Sequence, residues 1–255
     1  MEFRVLGAME LGSSQTTTEV PGVLQRTLLA ALLLAQGRVL LSGPLIDELW
    51  GERLPADPQA ALCAQVARLR RTLEAQERGG RRRLEHRTSG YRLHVLEGEL
   101  DLAEFRRLRR QAQLSGSPQE AEDLMRQSLA LWRGPALADV RPHSQCEAAG
   151  LALQDAREQS YVELFEFGLR IGRAGEISGD IEELTLLYPL NEALYEQLMR
   201  ALILSGRRVS AIAVYQRARR CLAELAGLDL SPALGRCLAQ ALADSNAPES
   251  GQQPP

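Results

Sequence analysis

Apolar residues in the first fifty positions alternate between short extended stretches and helical faces. Residues 3–11 are predicted to be extended, and the β-branched residues at 16–20 predict a second short strand. From residue 23 to 36 the apolar positions follow helical spacing, and Gly37 is placed to end that helix. A second helix is predicted near 43–50. The pattern therefore indicates a small sheet followed by a helical core.

A third helix is predicted from Asp57, which can cap it, to about residue 76, with Pro58 in its first turn. Its core face is predicted to hold Leu62, Val66, Leu69 and Leu73. The opposite face carries small residues in its middle and arginine toward its end. Small residues let a backbone approach the major groove, and arginine reaches phosphates or guanine edges, so this face suits DNA.

A hairpin follows the third helix. Residues 78–83 predict a flexible basic turn, and residues 84–88 and 91–96 predict two strands joined at Ser89 and Gly90. A small sheet, three helices and a basic hairpin, in this order, are typical of a winged helix. In that fold the third helix enters the groove and the hairpin forms the wing.

The rest of the chain is predicted to be helical. Helices are expected near residues 101–115, 118–132, 144–172, 174–187, 191–205, 207–226 and 231–243. Paired helices with short turns resemble tetratricopeptide-like helical repeats. The predicted domains are therefore 1–98 (winged helix) and 99–243 (all-α), followed by a disordered polar tail at 244–255. The predicted fold class is mainly α, with small antiparallel sheets confined to the N-terminal domain.

The distribution of charge along the chain adds evidence about the binding partner. Lys and Arg together number 30, and every one of them is Arg, in a chain whose formal net charge is −3. Residues 59–96 nevertheless hold nine arginines against three acids. A basic segment inside a slightly acidic protein indicates a polyanionic partner, although solvated helix faces also carry arginine.

Several function classes are excluded by what the sequence lacks. No apolar run is long enough for a transmembrane helix, and the N-terminus lacks the features of a signal peptide, so we expect a cytoplasmic, nucleoid-associated protein without membrane contact. The cysteines, which form no C-x-x-C pair, are Cys63, Cys146, Cys221 and Cys237. They and three scattered histidines predict no metal site. Catalytic and nucleotide-binding motifs are missing, so neither an enzyme nor a cofactor is expected.

Several segments, taken in order, resemble one known family. They include Phe3–Gly7, Gln25–Leu34, Leu45–Gly51, Val66–Leu73, Thr88–Leu93, Leu131–Asp139, Ala213–Arg217 and Leu228–Leu234. Over about residues 2–243 the chain resembles the Streptomyces antibiotic regulatory protein family. Its members join an OmpR-type winged helix to a bacterial transcriptional activation domain.

The resemblance implies a function. Such proteins activate secondary-metabolite (antibiotic) gene clusters by binding direct repeats of double-stranded promoter DNA, here expected as a homodimer on the DNA. They recruit RNA polymerase holoenzyme partly through the loop between the second and third helices, which is Gly51–Asp57 in this sequence. The residues expected to contact the polymerase are Glu52, Arg53 and Leu54.

The expected DNA contacts lie on the third helix and the wing. On the helix they are Gln59, Cys63, Ala64, Gln65, Arg68, Arg70 and Arg71, and on the wing they are Arg87, Ser89 and Tyr91. Residues 59–65 depart from the family's usual basic residue and Asn, which leaves the base preference open. Two alternatives remain at this stage: a helical-repeat adaptor that binds only protein, and a helical domain that responds to a ligand.

Overall fold

The computed structural model describes residues 1–12, 17–141 and 144–243. The predicted tail at 244–255 and the predicted turn at residues 13–14 lie outside the described residues. The chain forms two compact units. The first unit comprises residues 1–113 and 124–159, and the second comprises residues 114–123 and those from 160 onward. The predicted boundary between residues 98 and 99 remains a prediction.

A three-stranded antiparallel sheet starts the first unit. Its strands are β1 (Glu2–Arg4), β2 (Glu10–Gly12) and β3 (Thr17–Glu19), in the order β1-β2-β3. The single extended stretch predicted at residues 3–11 is wrong, because β1 and β2 form a hairpin. A distant side chain helps to hold the turn between them, since the N–H of Met9 donates to Asp139 Oδ1 at 2.8 Å.

The winged helix follows in the predicted order. Its elements are α1 (Val23–Leu34), β4 (Leu40–Leu41), α2 (Ser42–Trp50), α3 (Pro58–Gln76), a short 3-10 helix (Gly80–Arg83), β5 (Leu84–Arg87) and β6 (Gly90–Leu93). The wing sheet has the order β4-β6-β5, so the short segment before α2 contributes a strand to it. As predicted, the Asp57 side chain caps α3 by accepting from the N–H of Ala60 at 2.9 Å.

Seven helices occupy the rest of the described chain. They are α4 (Asp101–Leu114), α5 (Pro118–Ala130), α6 (Ser144–Arg170), α7 (Ala174–Leu187), α8 (Glu192–Leu204), α9 (Arg208–Ala226) and α10 (Pro232–Ala243). Each predicted boundary falls within two residues of the observed one, because apolar spacing and turn residues mark these helices clearly. The predicted fold class is confirmed.

One apolar core runs through the first unit. It contains Phe3 of β1 and Leu29 of α1, both without exposed surface, together with Phe105 of α4, Trp132 after α5 and Leu153 of α6. The rings of Phe105 and Trp132 meet edge to face, with centroids 5.3 Å apart. Apolar residues of the segments 100–105 and 132–153, among those the structure describes, therefore complete the core under the winged helix.

Two carboxylates fix this packing. Asp101, at the start of α4, accepts hydrogen bonds from the backbone N–H groups of Val5, Leu6 and Leu102 at 2.7–3.0 Å. Glu48 of α2, only 1% exposed, accepts from the N–H groups of Gln145 and Cys146 at the first turn of α6. The donors to Glu48 and that of Leu102 lie at helix starts, where N–H groups have no partner within the helix, and those of Val5 and Leu6 lie in the buried turn of the first hairpin. Each carboxylate therefore satisfies donors that would otherwise lack a partner.

Helix α3 and the wing are held together by direct contacts. The Arg70 guanidinium donates twice to the carbonyl oxygen of Leu84 in β5, at 2.9 and 3.0 Å. Cys63 Sγ lies 3.7 Å from the Tyr91 hydroxyl of β6. The helix and the hairpin are thus attached at two points of α3 that lie about two helical turns apart, which gives them a defined relative position.

The second unit is a series of packed helices joined by short turns. Helices α7, α8, α9 and α10 contact their neighbours in sequence, and α10 also packs on α8. The turns after α8 and α9 use Gly206 and Gly227 at positive φ, which glycine adopts without a Cβ clash. The C-terminal half of α6 joins this unit through an ion pair of 2.7 Å between Arg200 and Glu166. That neighbouring guanidinium lowers the pKa of Glu166.

Replacing Asp101 with Ala should destabilise the protein strongly. The change leaves backbone N–H groups of Val5 and Leu6 without their acceptor, at an expected cost of about 2–4 kcal/mol of unfolding free energy. Urea denaturation followed by circular dichroism measures it. The matched control is Glu104→Ala on the same helix, whose surface ion pair with Arg107 is worth less than about 1 kcal/mol. Equal losses in the two variants would contradict the role given to Asp101.

Neighbouring arginines of α3 should behave differently. Arg70→Ala removes charge-assisted hydrogen bonds to the Leu84 carbonyl and should cost about 1–3 kcal/mol. Arg71→Ala alters an exposed side chain and should stay within about 0.5 kcal/mol of the parent protein. The same denaturation experiment checks both. If Arg71→Ala proved the more destabilising, Arg70 would not hold the wing.

Candidate nucleic-acid interface

One face of α3 is open to solvent along its length. The predicted contact residues exposed on it are Gln59, Cys63, Ala64, Arg68 and Arg71. Counting the adjacent Cys63 and Ala64 as one step, these positions recur about once per helical turn, so they form a continuous strip on the helix. Ala60 and Ala67, which were not among the predicted contacts, are exposed on the same strip, and the same periodicity identifies them.

Burial corrects two predicted contacts and reassigns a third. Gln65 is 8% exposed, and Tyr91 is 3% exposed inside the wing. Gln65 lies three residues after Leu62 and directly before Val66, so the helical repeat turns it toward the core. Arg70 flanks the same face, and its guanidinium is bound to the wing. We therefore leave these three out of the DNA-contact set.

The Tyr91 hydroxyl makes its contact inside the protein, 3.7 Å from Cys63 Sγ of α3. Burial is the main effect that raises its pKa to about 12, followed by its contact with Cys63. The hydroxyl therefore stays neutral and points at α3. Its function here is to connect the wing to the helix, while the exposed Cys63 remains on the open strip.

The tip of the wing presents the other predicted contacts to solvent. A two-residue turn, Thr88 and Ser89, joins β5 to β6, one residue earlier than predicted. Arg87 has half of its side chain exposed and pairs with Glu85 at 2.7 Å. A hydrogen bond from His94, together with nearby guanidinium groups, lowers the pKa of Glu85, so this carboxylate remains charged beside Arg87. The Arg87 guanidinium is thus accessible to solvent, and its ion pair with Glu85 restricts its orientation.

A close backbone approach fixes the base of the wing. A Cβ added to Gly90 would lie 1.9 Å from the carbonyl oxygen of Leu40 in β4. The backbone N–H of Ser42, the first residue of α2, donates to the carbonyl of Ser89 at 2.9 Å. Only glycine fits at position 90, which explains the Ser-Gly pair seen in the sequence.

The predicted flexible basic turn is instead ordered. Glu74 of α3 accepts from the N–H groups of Gly79 and Arg81, and these hydrogen bonds lower its pKa. Arg83 is bound to Glu99 and Glu77 at 2.6–3.1 Å. Arg81 and Arg82 remain exposed, so this segment keeps an accessible positive charge next to the end of α3.

The loop Gly51–Asp57 presents its predicted partner residues to solvent. Glu52, Arg53 and Leu54 are all exposed, and the exposed fraction of Leu54 is 53%. Both ends of the loop are anchored, because the N–H of Gly51 bonds to the Asp47 carbonyl and Asp57 caps α3. A short loop fixed at both ends loses little conformational entropy when it meets a partner.

Neither a metal-ligand cluster nor a membrane-spanning helix is found in the described part of the chain. Within residues 1–12, 17–141 and 144–243, no group of three His, Cys, Asp or Glu side chains could hold a metal ion. In the same part of the chain, no helix has the length and apolar character needed to cross a membrane.

Known protein families match both parts of the chain. The model for the bacterial transcriptional activator domain matches residues 100–242, and the model described as transcriptional regulatory protein, C terminal, matches residues 23–93. The second match covers α1 to β6, which contain the α3 strip and the wing. The first covers α4 to α10.

Individual relatives agree with these matches. The regulatory protein AfsR of Streptomyces coelicolor is 37% identical over 92% of this chain, which spans 23% of AfsR's length. The transcriptional regulator RedD of the same species is 32% identical over 95% of this chain and 71% of RedD.

A solved structure of Mycobacterium tuberculosis EmbR, in complex with a low-affinity phosphopeptide, is 28% identical to the chain. It superposes with a TM-score of 0.87 over 95% of this chain and 65% of EmbR. The match extends over the winged helix and the helical domain alike. The chain therefore belongs to the Streptomyces antibiotic regulatory protein family of transcriptional regulators.

Proposed function

We propose that this protein activates transcription of a secondary-metabolite gene cluster by binding promoter DNA through α3 and the wing. The observation that carries the proposal is the exposed strip of α3, which is slim from Gln59 to Ala67 and ends in Arg68 and Arg71. Among the described residues, neither guanidinium is held by a carboxylate. A slim helix with arginines free to pair suits a major groove flanked by phosphates.

In this proposal each exposed residue has its own task. Gln59, Cys63 and Ala64 face the base edges, where a glutamine amide can bond to adenine and apolar groups can meet thymine methyls. Arg68 and Arg71 bind phosphates. Arg87, at the tip of the wing with Ser89, enters or flanks the minor groove, whose negative potential attracts arginine.

Two copies of the protein bind direct repeats in the promoter, and the loop Gly51–Asp57 contacts RNA polymerase. These two parts of the proposal rest on membership of the family. The exposure of Glu52, Arg53 and Leu54 supports the second, because a charged pair beside an exposed leucine can meet a partner protein without changing the DNA contacts.

Removing the α3 arginines should weaken DNA binding uniformly across sequences. Arg68→Ala and Arg71→Ala should each lower the slope of log affinity against log salt by about one, since one phosphate contact and its counterion release are lost. Fluorescence anisotropy with a labelled fragment of the gene cluster's promoter measures this. Arg219→Ala, an exposed arginine of α9, serves as the charge-matched control. Unchanged slopes in both α3 variants would remove Arg68 and Arg71 from the interface, and no DNA binding by the parent protein would favour the protein-binding adaptor.

The polymerase contact should separate from DNA binding. The double variant Glu52→Ala, Arg53→Ala should bind promoter DNA like the parent protein, because neither residue lies on the α3 strip or the wing. It should fail to stimulate run-off transcription by RNA polymerase holoenzyme. Glu97→Ala, an exposed acid in another loop, is the control and should retain stimulation. Full stimulation by the double variant would place the activating surface outside this loop.

A further inference from the structure

A groove on the first unit is separate from the α3 strip and the wing. Helix α4 forms one wall, the N-terminal half of α6 forms the floor, and Leu34, the last residue of α1, closes one end. Its volume is about 380 Å³. This lies in the size range of sites that bind small organic molecules, about 300–1,000 Å³.

The rim of this groove carries positive charge only. Its charged lining residues are Arg106, Arg109 and Arg110 of α4, and no carboxylate lines it. Two other grooves of similar size on the same unit differ, because Glu97 and Glu104 line one and Glu2, Glu99, Asp101 and Glu104 line the other. Both of those grooves are lined by arginine as well as by carboxylates, so among the three only the groove between α4 and α6 has charged lining residues of a single sign.

Two of the rim arginines are available to a ligand. Arg106 and Arg110 are exposed and stand four residues apart, on the same face of α4. Within the described part of the chain, neither side chain makes an ion pair or a side-chain hydrogen bond. Arg109 is engaged in contacts of its own, so it is not counted as a ligand group. Like charges one turn apart repel each other, and a bound anion would relieve that repulsion.

The floor of the groove is apolar and consists mainly of small side chains. Ala149, Ala152 and Ala156 of α6 supply small side chains, and the buried side chains of Phe105 and Leu153 lie beside them. Larger residues at the alanine positions would fill the space that now exists. An apolar floor with two exposed arginines on one rim suits a ligand that has an apolar body and one anionic end.

We infer that this groove binds a small organic anion whose carboxylate, sulfonate or phosphate group pairs with Arg106 and Arg110. Its apolar body rests on the alanine floor formed by α6. The site goes beyond the proposed DNA and polymerase contacts and does not depend on them. Because α1 packs against α3, a ligand touching Leu34 contacts the core on which α3 is mounted. The regulator thus has a site for a small-molecule effector.

The test uses two fluorescent probes with the same type of aromatic body. Anilinonaphthalene sulfonate carries an anionic group, and N-phenyl-naphthylamine does not. The folded full-length chain, without DNA, should bind the sulfonate at one saturable site. The double variant Arg106→Gln, Arg110→Gln should lower the affinity for the sulfonate probe by about tenfold or more, because charge-assisted pairing is lost. It should leave the affinity for the neutral probe nearly unchanged. Raising the salt concentration should lower the affinity for the sulfonate probe only.

Two further variants keep the test decisive. Ala152→Trp fills the floor at a solvent-facing position of α6 and should lower the affinity for both probes. Circular dichroism checks that the variant keeps its helix content. Arg219→Gln with Arg220→Gln makes the same charge change on the exposed face of α9 and should weaken neither. Absence of saturable binding, or sulfonate binding that the Arg106/Arg110 variant leaves intact, would overturn the inference. Neither result bears on DNA binding, which is measured separately.

Discussion

Backbone N–H groups of Val5 and Leu6, in the first hairpin, and of Leu102, in the first turn of α4, converge on the carboxylate of Asp101. Burial raises the pKa of this carboxyl group and the three N–H donors oppose that effect, so its presence in the core depends on them. The arrangement ties a hairpin to a helix that lies almost a hundred residues later. Glu48 repeats the principle by binding the start of α6 to α2. The starts of α4 and α6, which follow the winged helix in the sequence, are thereby fixed to its core.

This joint core has a consequence for recognition. Helix α3 packs on α1 and α2 from one side, and the Arg70 and Tyr91 contacts fix the wing on the other. The exposed strip of α3 and the wing tip therefore keep their relative positions before any DNA is present. Such pre-organisation reduces the ordering cost of binding, which favours a specific interface over a loosely adapting one.

Arginine is the only basic side chain in this protein, and its roles are set by what lies nearby. Arg83 is fixed by Glu77 and Glu99, and Arg70 is fixed by a backbone carbonyl. Arg68 on the α3 strip and Arg110 on α4 remain open to solvent. A planar guanidinium can serve in either way, because its fork of donors matches a carboxylate or a phosphate and can also donate twice to one carbonyl oxygen. Local charge counts alone do not distinguish these roles.

By itself the sequence determined the helices and the winged-helix order, because apolar periodicity, the Asp57 cap and turn glycines are local signals. It also determined the exposed strip from Gln59 to Arg71 and the family. The tertiary structure decided which flanking residues turn inward, and so it removed Gln65, Arg70 and Tyr91 from the interface. It also replaced one predicted strand by a hairpin and ordered the turn before Arg83. The burial of Gln65 follows from the helical repeat of α3 itself. The other outcomes depend on partners more distant in sequence, such as Leu84 for Arg70, Asp139 for the first hairpin and Glu99 for Arg83, and no local pattern encodes a contact across such a separation.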